Sequence, residues 1–301
     1  MDQKPPNPDS YLWGELDFGR LMALQAASES RFYSVLNEDN GIGMVYGGQM
    51  LAQAVLAGAR TLPAVRAARH VQLSFARPGK VGEALAYAVE PVLDGRRASM
   101  RLIRIEQGDK ILATANLGFQ DPEPGLEQGE SMPDCESPEA LVDVRELVAA
   151  TPELQRGYGL ASIARKRGIE FRMIHPETYA TRRAAAPRFR YWMRLRRPIG
   201  DDPLLHQAAG LYLSDWAMAF APLLPRLPMA EAQCIAISTL SHDAWFYRPF
   251  RADDWLLMDV EGHALASGRG LALARIHARG GPVVAVMTQE LLYPFAERLA
   301  S

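Results

Sequence analysis

Cysteine is almost absent: Cys135 and Cys234 are the only two among 301 residues, far apart and in no CxxC pair. A disulfide-stapled secreted fold and a cysteine-rich zinc module are both excluded, and a reducing cytoplasm is the expected home. Neither sign of charge is in excess, because 33 basic residues face 35 acidic ones for a net charge of −2. No overall field recruits nucleic acid or anionic membrane. The histidines His70, His175, His206, His242, His263 and His277 show no metal-ligand spacing, and no HExxH occurs, so no metal site is expected. A GxSxG nucleophile elbow is missing, and Gly41-x-Gly43-x-x-x-Gly47 is spaced wrongly for a dinucleotide fingerprint. Residues 1–10 carry no basic region followed by an apolar core, and Leu299-Ala300-Ser301 is no recognised address. The one long apolar run, 204–224, is interrupted by His206, Gln207, Gly210, Ser214, Asp215 and Pro222. A mid-bilayer Asp costs about 2.5–3.5 kcal/mol even on the translocon scale, so this run belongs in a protein core.

What the chain does have is an ordinary globular composition, 48% hydrophobic and 23% charged, and length enough for two domains. It also repeats itself. Segments 73–120 and 244–293 share Phe-x-Arg-Pro (Phe75, Arg77, Pro78 against Phe246, Arg248, Pro249) and Val89-Glu90 against Val260-Glu261, each at an offset of 171 residues. Gly95-Arg96 matches Gly268-Arg269, and Gly108 matches Gly280, within two residues of that offset. Such a register means duplication. Each copy reads as a β-meander, with strands at 85–92, 98–106 and 111–119 matched by 256–261, 270–278 and 283–293. Turns fall at Asp94-Gly95 and Ser267-Gly268, and glycine hairpins at Gly108 and Gly280. Ahead of each meander lies a helix apolar nearly all round, 47–62 and the run from Leu204, as a helix enclosed by its own sheet requires. Between the copies, 121–138 reads as a Pro/Gly/Glu linker, with Ser137-Pro138 capping a helix that runs to about Val148. From Arg156 to Arg197, twelve basic residues face only Glu170 and Glu177. In this run Phe189, Tyr191 and Met193 alternate with Arg188, Arg190, Trp192 and Arg194, which gives either a solvated strand face or a patch for ligand phosphates.

Asp215 is the only formal charge between Pro203 and Pro225 and sits among Leu211, Tyr212, Trp216, Met218 and Ala219. An unpaired carboxylate there would cost several kcal/mol, so it needs hydrogen-bond partners or a raised pKa. Either condition suits a general base; the structural alternative is a helix cap. Gln289 follows Val283, Ala285 and Met287 on one strand face and so points at the core, where its amide must find partners. The alternative is a strand-end amide reaching solvent.

The ordered series GMVYGGQMLAQAV (43–55), SFARPG (74–79), HQAAGLYLSDWAMAFAPLL (206–224), STLSHDAWFYRPFRADDWLL (238–257), SGRGLALARI (267–276) and AVMTQE (285–290) resembles the acyl-CoA thioesterase II family over nearly the whole chain. The resemblance implies an α+β double hotdog, two tandem repeats each with a long antiparallel sheet around a central apolar helix. The repeats would occupy residues 1–125 and 166–301, joined by a linker with a helix at 126–165, and the C-terminal repeat would carry the active site. It further implies hydrolysis of acyl-CoA to free acid and CoA without cofactor or metal. The edge strands and apolar content suggest a homodimer or larger homo-oligomer, and the scarce cysteine and balanced charge a cytoplasmic protein that binds neither nucleic acid nor membrane. The family's catalytic trio falls on Asp215 (YLSDW), Thr239 (STLSH) and Gln289 (MTQE), which would hold a water for direct attack. Gly47, Gly48, Gln49 and His242 are expected to bind substrate, the helix-start N–H groups of the two glycines approaching the thioester oxygen. On that reading Gly48→Val cuts turnover and spares the fold. Gly47-Gly48-Gln49 are set against Leu213-Ser214-Asp215, which leaves the first copy without an acid and predicts one active site per chain. Ser241, Tyr247 and Gln72 stand where the family often has Asp, His and His, and bear on substrate choice. Two other readings stay open, a non-catalytic acyl-CoA-binding hotdog protein and a hotdog enoyl-CoA hydratase; the latter needs a His/Asp or His/Glu pair on the helix motif, which the chain lacks.

Overall fold

The computed structural model describes residues 9–11, 17–155, 159–177, 185–232, 235 and 237–294. Residues 1–8, Arg156, Arg182, Arg183, Cys234 and Leu299-Ala300-Ser301 lie outside them. In the first half, β1 (Asp9–Tyr11), α1 (Phe18–Leu21), β2 (Leu24–Ser28), β3 (Arg31–Ser34) and β4 (Leu36–Glu38) precede α2 (Gly47–Ala59). Then come β5 (Ala67–Phe75), β6 (Ala86–Asp94), β7 (Ala98–Gln107) and β8 (Lys110–Gln120). Short helices α3 (Val144–Ala150) and α4 (Leu160–Arg165) follow. The plan then recurs with β9 (Ile169–Met173), β10 (Arg188–Leu195), α5 (Pro203–Ser214), the short α6 (Met229–Ala232), β11 (Ser238–Phe246), β12 (Leu256–Ala266), β13 (Arg269–Ala278) and β14 (Val283–Leu292).

The two central helices form for local reasons and are buried for global ones. α2 is rich in Ala, Leu and Gln, and ten of its residues are buried. α5 starts where the Asp202 side chain accepts from the Leu204 N–H at 2.9 Å and Pro203 occupies the first turn. Nine of its residues are buried. Helices so nearly without a polar face are stable only inside a core. The apolar run of 204–224 is not one helix: α5 ends at the Asp215 cap, and a 3-10 segment, Met218–Leu223, follows with Pro222 inside it.

Twelve strands form one antiparallel sheet in the order β2-β3-β6-β7-β8-β5-β11-β14-β13-β12-β10-β9. Each half contributes six strands in matching order, three more than the meanders read from sequence: β5 and β11 at the join, and β2-β3 and β9-β10 at the outer edges. The halves join between β5 and β11, where Gln72 faces Asp243. Those two residues are 171 apart, the offset of the repeat, so the pseudo-twofold axis passes through their pair. Irregularities keep the same offset. Bulges at Ala68/His70, Pro91/Leu93 and Ile105/Glu106 recur at Thr239/Ser241, Gly262/Ala264 and Ile276/His277. Gly108 and Gly280 take positive φ (59° and 69°) in the matching hairpins, a conformation cheap only for glycine. The fold is the α+β double hotdog.

The linker is a strap and not a free spacer. Met132, Cys135 and Leu141 pack on Ile174, Trp192, Trp255 and Leu257, and Trp192 Nε1 donates to the Glu136 carbonyl at 3.0 Å. The single helix expected from Ser137 to Val148 is two pieces: a 3-10 turn, Pro138–Ala140, and α3, which has its own cap in Asp143. On β10, Phe189, Tyr191, Met193 and Leu195 turn into the core. The outward arginines are paired: Arg188 and Arg190 share Asp259, and Arg194 and Arg196 share Glu170. Burial pushes the Asp259 carboxyl up, but its two guanidinium partners bring it below the ordinary value. These guanidiniums are committed to carboxylates within the sheet, which favours the solvated-face reading of the basic run over the phosphate patch.

The helices cross with the start of α2 against the end of α5. A Cβ on Gly48 would stand 2.6 Å from the Tyr46 ring and 2.8 Å from the Tyr212 carbonyl oxygen. Gly48→Val therefore overpacks the crossing, at a cost of about 1–3 kcal/mol. We expect a lowered Tm in thermal unfolding, which replaces the expectation of an intact fold.

Candidate active site

Asp215 caps the C-terminal end of α5, with φ −75° and ψ 0°. A carboxylate is disfavoured there, because the last carbonyls carry the negative end of the helix dipole. Its side chain is nevertheless only 5% exposed. Three features offset the penalty. Gln289 Nε2 donates to Asp215 Oδ1 at 2.8 Å, and His242 Nδ1 lies 3.2 Å from the same oxygen. Gly47, the first residue of α2, faces the other oxygen so closely that a Cβ there would stand 2.7 Å from Asp215 Oδ2. The acid at the end of one helix thus meets the positive end of the other. Hydrogen bonds to a charged group contribute about 1.5–3 kcal/mol each, enough to outweigh a dipole term of about 0.3–1 kcal/mol.

Thr239 joins through a bulge. Strict alternation back from His242 would put Thr239 on the outer face with Ser241. The register slips between them, so His242 pairs with Gln289, Ser241 with Glu290, and Thr239 with Leu291. The extra residue turns Thr239 inward, and Gln289 Nε2 donates to its Oγ1 at 3.0 Å. Asp215, Thr239 and Gln289 therefore meet directly, with the amide nitrogen bridging acid and hydroxyl. Gln289 is wholly buried, and its Oε1 has no hydrogen-bond partner among the described residues. An acceptor left in that state calls for a donor from a ligand or solvent.

The residues expected to bind substrate divide. Gly47 borders Asp215 as described. Gly48 is packed beneath Tyr46 and Tyr212. Gln49 is wholly buried and internally committed: its Nε2 donates to the Leu36 carbonyl at 2.6 Å and its Oε1 accepts from the Glu38 N–H at 2.7 Å. It serves to fix β4 onto α2 and offers a ligand nothing. His242 is also wholly buried, with Nε2 3.1 Å from Ser214 Oγ and Nδ1 toward Asp215; it braces the acid and does not line a pocket. The alignment of Gly47-Gly48-Gln49 with Leu213-Ser214-Asp215 also fails, since the first trio opens α2 and the second closes α5. The cap that corresponds to Asp215 is Arg60 at the end of α2. At the 171 offset, Thr239 and His242 correspond to Ala68 and Val71, and Val71 pairs with Leu117 as His242 pairs with Gln289. All three are buried, so the first copy fills the equivalent position with hydrocarbon.

Sequence reasoning missed the other charged group close to Asp215. Lys166, just past α4, is buried and ion-paired with the buried Glu38 of β4. Its Nζ donates to the Tyr212 hydroxyl at 2.7 Å, and that hydroxyl donates to Glu38 Oε2 at 2.8 Å. In the sequence it is one of the twelve basic residues between Arg156 and Arg197, and nothing beside it marks it as buried. Among the described residues no cluster of three or more His, Cys, Asp or Glu side chains is placed to hold a metal ion, and no helix is long and apolar enough to cross a membrane.

Comparison with known proteins agrees with this architecture. Residues 36–120 match the domain family described as acyl-CoA thioesterase N-terminal domain, and residues 138–293 match the acyl-CoA thioesterase C-terminal domain. Acyl-coenzyme A thioesterase 8 of Mus musculus is 30% identical over 254 residues, covering 82% of this chain and 79% of that protein. Acyl-CoA thioesterase 2 of Haemophilus influenzae is 26% identical over 261 residues, covering 87% and 91%. The solved structure of a tesB protein from Mycobacterium avium subs paratuberculosis superposes with a TM-score of 0.74 at 26% identity, covering 93% of this chain and 100% of that one. The chain belongs to the acyl-CoA thioesterase II family, a family of thioester hydrolases.

Removing the brace tests its role. His242→Ala takes one partner from Asp215, and we expect kcat to fall about 10–100-fold, the loss that matches one hydrogen bond to a charged group. Steady-state kinetics should show KM changed little.

Proposed function

We propose that the enzyme hydrolyses acyl-CoA to free carboxylic acid and CoA by direct attack of a water activated by Asp215, with Gln289 and Thr239 as its positioning partners. The observation that carries this reading is the Gln289 amide, whose nitrogen ties Asp215 to Thr239 while its buried oxygen has no partner. A water that donates one proton to Gln289 Oε1 and the other to Asp215 has both of its protons oriented. As its oxygen bonds to the thioester carbonyl carbon, Asp215 takes a proton. The tetrahedral intermediate then expels the CoA thiolate, and the proton on Asp215 is available to it. Gly47, at the N-terminal end of α2 beside Asp215, is the donor candidate for the developing oxyanion.

An acyl-enzyme route is less well supported. Ser214, His242 and Asp215 touch in the order of a serine triad, but Ser214 is wholly buried and its hydroxyl donates to the Leu211 carbonyl at 2.9 Å. It has no path to a carbonyl carbon. A pure binding role would not require a carboxylate held against a helix dipole. The dehydration chemistry of a hydratase would draw on a histidine–acid pair reaching substrate, whereas His242 is enclosed. The partner is then acyl-CoA itself, and a cytoplasmic homo-oligomer in fatty acid metabolism is the setting we expect.

The test is CoA release from a panel of acyl-CoAs, followed with a thiol reagent. We expect turnover by the native chain and a loss of about 10²–10⁴-fold in kcat for Asp215→Asn, the range for a general base, with an unchanged circular dichroism spectrum. Tight acyl-CoA binding without CoA release would establish the binding role instead.

A further inference from the structure

The buried lysine is more than a structural tie. Lys166 is 2% exposed and caps the end of α4, whereas Glu38 belongs to the first repeat and Tyr212 to the last turn of α5. Three aromatic rings surround its ammonium: Trp216 at 4.1 Å, Tyr46 at 4.4 Å and Tyr212 at 4.8 Å from Nζ to the ring centroid. Cation–π attraction is strongest in such desolvated cages. Each wall of the cage bears on Asp215. Trp216 follows it directly in the chain and stacks on Tyr46 at 4.7 Å between centroids. The Tyr46 hydroxyl donates to the Tyr212 carbonyl at 2.7 Å, across the helix crossing where Gly47 meets Asp215. Among the described residues, the charged groups that act on the ammonium are Glu38 from β4 and Asp215 from the end of α5, with the phenols of Tyr46 and Tyr212 beside it and that of Tyr191 acting on Tyr46.

We propose that Lys166 is a positioning residue for the hydrolysis: its caged ammonium fixes the end of α5 that presents Asp215 and balances the two carboxylates, Glu38 and Asp215, enclosed with it. The ammonium stands between two enclosed carboxylates; without it Glu38 and Asp215 face each other with no cation between them, and the aromatic cage that grips the end of α5 has nothing to grip. Loss of that cation therefore releases the end of α5 and misplaces Asp215 for the attack of water while contacts to the rest of the acyl-CoA are kept, so kcat falls more than KM rises. Burial lowers the Lys166 amine to about 8 against the opposing pull of Glu38 and Asp215, so the effect falls in an accessible range of pH.

The inference rests on the hydrolytic role proposed for Asp215, and its test separates the two. In native enzyme, kcat for acyl-CoA hydrolysis, corrected for spontaneous thioester cleavage, should decline with a midpoint near pH 8. Lys166 titrates at about 8 in the folded chain and near its ordinary 10.5 in the unfolded one. Between these values the unfolded state binds more protons, so this titration by itself raises stability as pH rises. Activity should therefore fall across the window while Tm holds. Lys166→Arg, whose charge persists above pH 12, should remove the decline. The double variant Lys166→Met with Glu38→Gln removes both partners of the ion pair, so neither charge is left buried alone; it should fold with a Tm near native yet lose at least tenfold in kcat with little change in KM. A flat kcat profile to pH 10, a Tm that falls together with kcat, or a folded double variant with native kcat would each overturn the role of Lys166. If native enzyme releases no CoA, or Asp215→Asn keeps its rate, the hydrolytic reading itself fails.

Discussion

A carboxylate at the wrong end of a helix governs this protein. Asp215 closes α5 among carbonyls that repel it, in a core that desolvates it, and it stays because other elements supply what the helix cannot. β14 brings the Gln289 amide, β11 brings the His242 ring, and α2 brings its N-terminal end through Gly47. Two of these elements belong to the second repeat and one to the first. The close approach of Gly47 to Asp215 thus joins the electrostatics of the acid to the packing of the two helices. A chain with only one hotdog repeat would lack the second helix terminus and leave the acid facing its own dipole.

Duplication explains how one backbone plan comes to carry two different sets of side chains. The two halves keep the same strand order and the same three bulges at an offset of 171 residues. In the second copy the bulge turns Thr239 inward to meet Gln289. In the first copy the matching positions are the buried Ala68, Val71 and Leu117, and the α2 cap is Arg60 where α5 has Asp215. The backbone device is present in both copies, while only the second carries the acid, hydroxyl and amide that meet there. The other copy contributes the facing helix and Glu38.

Much of this was legible in the sequence. Helices apolar all round, hairpin glycines and a repeated Phe-x-Arg-Pro gave the wrapped sheet, because each follows from local geometry or direct repetition. Asp215 and Gln289 stood out because a charge in an apolar run and an amide on an apolar strand face each demand partners. What could not be read depends on three-dimensional closure. A one-residue register slip that turns Thr239 inward leaves no mark on composition. Gln49 follows two glycines at a helix start, where a ligand contact is a natural reading, yet β4 consumes its hydrogen bonds. Lys166 and Glu38 lie 128 positions apart, and nothing near either one announces the pair. The 204–224 run ended early as a helix because its one carboxylate became a cap.

Whether Asp215 delivers water or is itself acylated is the sharpest question the geometry raises. Enzyme in excess over acyl-CoA should be allowed a single turnover in water enriched in oxygen-18, and both the free acid and the peptide that carries Asp215 should be weighed by mass spectrometry. Direct attack predicts one heavy oxygen in the acid and none in the Asp215 carboxylate. Heavy oxygen in Asp215 with unlabelled acid would show a covalent acyl-aspartate and contradict the account.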